Sequence, residues 1–189
     1  MNYILFSFIF SLLSKFSTTS SLSHKAFAVI EGNYEKNHIK GHVIFKQLNF
    51  FNLQVMVHIT GIPEKLGPRL GFHVHTNGIL NPSENATIRC ESAGPHYNPL
   101  NQPHGNISSW KRHVGDYGNM IVHNGTIKTK FIDRLTMLHR PFNIIGRTIV
   151  LHEREDDLGL GHDKNSKING NSGPPIACGI IGVWSYIQK

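Results

Sequence analysis

From Ala26 onward, apolar residues recur at alternate positions in short runs, and Gly, Pro or Asn separates one run from the next. A period of two belongs to strands that bury one face. It predicts strands over residues 26–31, 38–45, 53–60, 71–75, 120–122, 126–132, 144–152 and 179–186. No segment carries a convincing helical period, and there is no internal repeat. Many short strands with frequent turns point to an all-β, eight-stranded antiparallel barrel or sandwich. Two stretches, residues 76–117 and 153–177, are long Gly-, Pro- and Asn-rich loops with little strand character. Loops of that length in a compact domain usually carry function.

The beginning of the chain follows a different pattern. Residues 3–13 are almost unbroken apolar sequence, and residues 17–23 are small and polar. This reads as a signal peptide, because the run is shorter than the roughly 20 residues a bilayer span requires. Residues 1–23 are therefore expected to be removed, which leaves residues 24–189 as one secreted domain without a membrane anchor. Cys90 and Cys178 are the only cysteines. In an oxidising compartment one disulfide is the natural inference, two buried free thiols being the alternative. Sequons at Asn85, Asn106 and Asn124 are candidate glycosylation sites and support secretion weakly. The formal charge of +7 comes from 19 Lys and Arg against 12 Asp and Glu. Because these basic residues are scattered, nucleic acid is not the expected partner. A basic surface still concentrates small anions at a positively lined cleft.

The candidate chemistry lies in the histidines. His73 and His75 are two apart in an apolar strand, so both imidazoles point to one face. Alone, an H-x-H pair is weak evidence of a metal site. His152 closes the apolar run Ile149-Val150-Leu151, a placement that fits a further ligand from a neighbouring strand. The first long loop adds His96, His104 and His113 with Asp116. Three nitrogens and one carboxylate oxygen suit structural zinc, whereas an all-imidazole set suits copper. An imidazole shared by both metals would bind through both ring nitrogens, and His96 is the candidate.

In order along the chain, Gly71-Phe72-His73-Val74-His75, Cys90-Glu91-Ser92-Ala93-Gly94-Pro95-His96-Tyr97-Asn98-Pro99, Arg112-His113-Val114-Gly115-Asp116, Ile145-Gly146-Arg147-Thr148-Ile149-Val150-Leu151-His152-Glu153 and Asp156-Asp157-Leu158-Gly159 resemble the copper,zinc superoxide dismutases. The resemblance runs from about residue 25 to the end. It implies a Greek-key barrel, an architecture the family exemplifies. By position it implies one copper per subunit on His73, His75, His96 and His152. One zinc per subunit would sit on His96, His104, His113 and Asp116. It also implies a Cys90–Cys178 disulfide and an aspartate, Asp156, that links a copper histidine to a zinc histidine through hydrogen bonds. The implied activity converts superoxide to oxygen and hydrogen peroxide, with His96 taking up and returning a proton. Electrostatic attraction of the anion would speed capture, an effect for which this family is a standard illustration.

The chain departs from the family in three places. Pro175 stands where the family places an arginine that guides the anion, so a reduced rate is expected. Lys167 and Arg154, in the same long loop, are candidates to retain part of the steering. The loop before Cys90 is longer than the family's usual form and lies in the region used for pairing, so it bears on whether a homodimer forms. The apolar start moves the reading to the extracellular branch. An alternative reading is a metal-binding relative with little turnover.

Overall fold

A computed structural model describes residues 25–184, so the expected signal peptide lies outside the described residues. The strands are β1 (Lys25–Tyr34), β2 (Asn37–Gln47), β3 (Leu53–Thr60), β4 (Arg69–His75), β5 (Asp116–Ile121), β6 (Ile127–Asp133), β7 (Thr148–His152), β8 (Pro175–Ile180) and a two-residue β9 (Gly182–Val183). They pair antiparallel in the order β5-β4-β7-β8-β1-β2-β3-β6, with β9 on β1. This is the expected Greek-key barrel of eight strands, extended by the short β9. β5 and β6 lie at the two ends of that order, so the barrel is nearly closed.

Burial alternates along the strands as the sequence pattern requires. In β1, Ala26, Ala28 and Ile30 are buried, and in β3 Leu53, Val55, Val57 and Ile59 are buried. Register is therefore fixed, since a one-residue slip would turn every core side chain to solvent. The strands next to the loops depart from the pattern. β4 and β7 are buried on both faces, with Phe72, Val74, Ile149 and Leu151 in the main core and the histidines on the other side. That second face is covered by the two long loops.

Four strand boundaries differ from the sequence pattern. β7 begins at Thr148 rather than at residue 144, because Ile144–Arg147 forms a turn closed by Arg147 N–H to the Ile144 carbonyl. β5 begins at Asp116, inside the expected loop. β8 begins at Pro175, since a proline is compatible with a strand when it is the first residue. The run expected over residues 179–186 is broken at Ile181, whose N–H bonds to the Arg147 carbonyl. Two short helices also occupy the loops: α1 (Ala86–Glu91), capped by the Asn85 side chain, and α2 (Ser166–Asn169).

Candidate metal centre

β4 carries His73 and His75 on one face, and β7 pairs with β4 so that His152 closes beside them. The Nε2 atoms of His75 and His152 are 3.1 Å apart. His96 enters from the first loop through a bridge between His75 and His96, and its ring stacks on His73 at 4.0 Å between centroids. His73, His75, His96 and His152 thus form one buried group whose ring nitrogens lie within 4.8 Å of one another.

A second set gathers around Asp116, at the start of β5. Its Oδ1 lies 2.9 Å from His96 Nδ1, 3.0 Å from His104 Nδ1 and 3.3 Å from His113 Nδ1. Its Oδ2 accepts the N–H groups of Gly105 and His113, which fixes the carboxylate plane. His73 also falls within 4.8 Å of His96, His104 and Asp116, because it stacks on His96. His113 Nδ1 nevertheless converges with His96 Nδ1 and His104 Nδ1 on the same Asp116 oxygen. His96 belongs to both groups through different nitrogens.

The donor atoms are arranged for ions. His73 Nδ1, His96 Nε2, His104 Nδ1 and His113 Nδ1 are buried without any hydrogen-bond partner among the described residues. Orphaned buried nitrogens are costly, and a metal at each cluster would satisfy them. The opposite nitrogens are held in place. His75 Nδ1 donates to the Gly94 carbonyl at 2.6 Å and His152 Nδ1 to the Gly173 carbonyl at 2.9 Å. Asp156 accepts from His73 Nε2 through Oδ2 and from His104 Nε2 through Oδ1, each at 2.8 Å. These bonds select the tautomer whose lone pair faces the cluster. Gly170 makes room for the arrangement, because a Cβ there would meet Asp156 Oδ1 at 2.0 Å and His104 Nε2 at 2.5 Å.

Electrostatics differ between the two groups. Burial holds His73, His75 and His96 well below the ordinary imidazole pKa, reinforced by the neighbouring imidazoles. Burial also brings His152 down to about 4. For His104 burial acts in the same direction, but the carboxylates of Asp116 and Asp156 beside its two ring nitrogens outweigh it and raise the pKa to about 9. For Asp116 burial would favour the neutral acid, and the close imidazoles of His104, His113 and His96 reverse that, keeping it ionised.

Cys90, in α1, is bonded to Cys178, in β8, which ties the first loop to the barrel wall. Lys167 lies in α2 and donates to the Gly159 carbonyl, and its own carbonyl accepts the His104 N–H. A cavity of about 550 Å³ brings Lys167, Arg147, His96 and His113 to one opening. Arg154 is exposed and lies over Gly173, where a Cβ would be 2.6 Å from its Nε. Pro175 is half-buried and opposes His152 in the β7–β8 register, while its carbonyl accepts from Thr87. Asn85, Asn106 and Asn124 are all exposed.

Two supporting residues escaped the sequence reading. Arg112 is 1% exposed and donates to the carbonyls of His113, Val114 and Asp116 and to the Asp133 carboxylate. Its one signal was its position beside His113. Asn119 clamps the Asp156 backbone by donating to its carbonyl and accepting its N–H, and no sequence pattern pointed to it.

Residues 39–181 match the family model described as copper/zinc superoxide dismutase. The chain is 40% identical over 158 residues to Cu-Zn superoxide dismutase A of Xenopus laevis, covering 84% of this chain and 97% of that one. It is 41% identical over 160 residues to the Cu-Zn superoxide dismutase of Schizosaccharomyces pombe, covering 84% and 97%. With the extracellular Cu-Zn superoxide dismutase of Drosophila melanogaster it shares 39% over 169 residues, covering 87% and 88%. Buried histidine groups able to hold metal, on a Greek-key barrel and within a matched span of this length, make the chain a member of the copper/zinc superoxide dismutase family.

Proposed function

We propose that the protein is a secreted superoxide dismutase in which copper is held by His73 Nδ1, His75 Nε2, His96 Nε2 and His152 Nε2, and zinc by His96 Nδ1, His104 Nδ1, His113 Nδ1 and Asp116 Oδ1. The observation that carries this reading is His96. Its Nδ1 meets Asp116 while its Nε2 is buried and unpartnered, so its two nitrogens serve different clusters. Bound copper supplies one-electron exchange with superoxide, and bound zinc supplies fixed charge without redox chemistry.

Disproportionation of two superoxide anions consumes two protons and yields one oxygen and one hydrogen peroxide. His96 is the residue positioned to carry a proton. With Nδ1 fixed on the Asp116 side, Nε2, which faces the all-histidine group, is the nitrogen that would take one up whenever it is not bound to copper and pass it to the reduced anion. Asp156 keeps His73 and His104 in their donor tautomers. Lys167, at the cavity that opens onto His96, and Arg154, over Gly173, supply positive potential on the approach in the absence of an arginine at Pro175.

Secretion is supported by the apolar residues 3–13, by the Cys90–Cys178 disulfide and by likeness to an extracellular relative. On this reading residues 1–23 are a signal peptide, residues 24–189 are the working domain, and the exposed sequons are open to glycosylation. Exposed Val29, Ile180 and Val183 on β1, β8 and β9 support a homodimer. The test is metal analysis followed by superoxide consumption by the purified protein. Stoichiometric copper and zinc with rapid consumption is the expected result. Copper-loaded protein without turnover would instead make this a metal-binding relative.

A further inference from the structure

The β2–β3 hairpin ends in the sequence Leu48-Asn49-Phe50-Phe51-Asn52, and the dismutase reading gives it no role. Leu48, Phe50 and Phe51 are 44%, 58% and 63% exposed. The turn that presents them is rigid. Leu48 N–H bonds to the Asn52 carbonyl, and the Asn49 side chain accepts the N–H groups of Phe51 and Asn52. Gln47 is buried beneath the turn, donates to the Asn49 carbonyl and accepts the Leu138 N–H, which braces the tip against residues 136–138. Phe50 packs edge-on against Phe51, and its ring centroid lies 4.7 Å from that of His139. The aromatic pair is thus fixed in an exposed position although a polar turn would close the hairpin equally well.

The surroundings are positively charged. Lys46, Arg134 and Arg140 are exposed around the tip, and among the described residues none of them is in an ion pair. The flanking segments, residues 46–52 and 134–143, contain no Asp or Glu. Asp133 is the nearest acid in sequence, and it is buried against Arg112. A protruding apolar point within a cationic rim has the layout of a peripheral membrane contact: aromatic and aliphatic side chains enter the headgroup boundary while Lys and Arg meet anionic lipid.

We propose that this hairpin tip docks the protein on an anionic phospholipid surface, with Leu48, Phe50 and Phe51 inserted and Lys46, Arg134 and Arg140 at the phosphates. A second copy of the chain is a poor occupant, because a twofold contact would place these cations against their own counterparts. The contact is peripheral and spans nothing. It is independent of the dismutase chemistry, so enzyme activity serves as a folding control.

The test uses metal-loaded residues 24–189, which contain the whole barrel and its core, with vesicles of phosphatidylcholine alone or with roughly a third phosphatidylserine. Wild-type protein should sediment with the anionic vesicles and not with the neutral ones. F50S/F51S should weaken this binding by about tenfold or more while superoxide consumption stays unchanged. K46Q/R140Q should weaken it and reduce its salt dependence. In Phe51→Trp, which keeps an aromatic at the tip, tryptophan emission should shift to shorter wavelength on binding. The proposal is overturned if wild-type protein does not bind anionic vesicles, or if bound Phe51→Trp shows no shift. Binding to vesicles or to heparin that is undiminished in F50S/F51S would also overturn it, because the basic surface alone would then be responsible.

Discussion

Replacing Asp156 with Asn tests how the two clusters are held together. The carboxylate is 2% exposed and accepts from His73 Nε2, His104 Nε2 and the Leu158 N–H at 2.8, 2.8 and 2.7 Å. Asn119 fixes its backbone and its carboxylate lies close against Gly170, so an amide of the same shape would occupy the same place. Its oxygen can accept from one imidazole, but its NH2 must face the other, donor against donor. That imidazole can make the bond only by moving its own proton to Nδ1. In both histidines Nδ1 is the buried orphan that faces the cluster, so the switched tautomer has no lone pair to offer a metal. Losing such an orienting bond weakens metal affinity by about 10- to 100-fold, or roughly 1.4–2.7 kcal/mol. Competition against graded chelators, run separately for copper and zinc, measures this directly. The metal-free proteins should be compared by thermal unfolding to separate metal loss from general destabilisation. If Asp156→Asn holds both metals as tightly as wild type, Asp156 does not set these tautomers.

Arg112→Leu leaves Asp133 buried without its cation and removes the Arg112 donor from three backbone carbonyls. It should destabilise the protein by about 3–5 kcal/mol in denaturant unfolding, and a loss below ~1 kcal/mol would show that the network is dispensable. Reducing Cys90–Cys178 opens a loop whose ends are 88 residues apart and should cost about 4 kcal/mol. An unchanged melting temperature after reduction would refute that. Metal-free protein should be most stable near the ordinary imidazole pKa of about 6.5. His152, lowered to about 4, contributes stability that is full above about 6.5 and is lost as pH falls from there through 4. His104, raised to about 9, contributes stability that is full below about 6.5 and is lost as pH rises from there through 9. Melting temperatures across pH should therefore show a maximum, with the alkaline limb disappearing once zinc occupies His104, and a monotonic profile would contradict the assignment. Pro175→Arg keeps the carbonyl that accepts from Thr87 and adds a guanidinium beside His152. It should raise the bimolecular rate about tenfold and steepen its salt dependence, whereas an equal rate at equal copper content would mean that Lys167 and Arg154 already suffice.

The barrel was legible because alternation is a one-dimensional record of burial. The runs at 26–31 and 53–60 each have one buried face and fall within β1 and β3. The pattern failed where burial was not alternating or where the backbone turned for local reasons. β7 is buried at all five positions, so nothing in its hydropathy separated it from the turn before it, and Gly146 at φ +80° makes that turn. Pro174-Pro175 reads as an interruption, yet Pro175 opens β8. The candidate histidines were legible because His73 and His75 share a strand face, His152 closes an apolar strand run, and His96, His104 and His113 stand at a recognisable spacing in one loop. The residues that hold them were not, because Asn119 and Gly170 act through contacts 37 and 14 positions from Asp156, and such distances leave no period to read.

The same geometry explains why the supports are built as they are. The clustered histidines turn ring nitrogens inward, His96 with both of its own, and four of those nitrogens have no partner among the described residues. In a chain that relied on hydrogen bonding alone, that desolvation would be a net loss for the folded state. Fixing the outward nitrogens on Asp156, Gly94 and Gly173 cannot recover it, because those bonds satisfy the other side of each ring. They remove the rotational and tautomeric freedom that metal binding would otherwise have to overcome. The cost of those unpartnered nitrogens is thus relieved by the ions, and metal binding stabilises the native state by mass action. The disulfide and the Arg112–Asp133 pair contribute stability independent of the ions, which lets the barrel persist while the donor atoms wait for them.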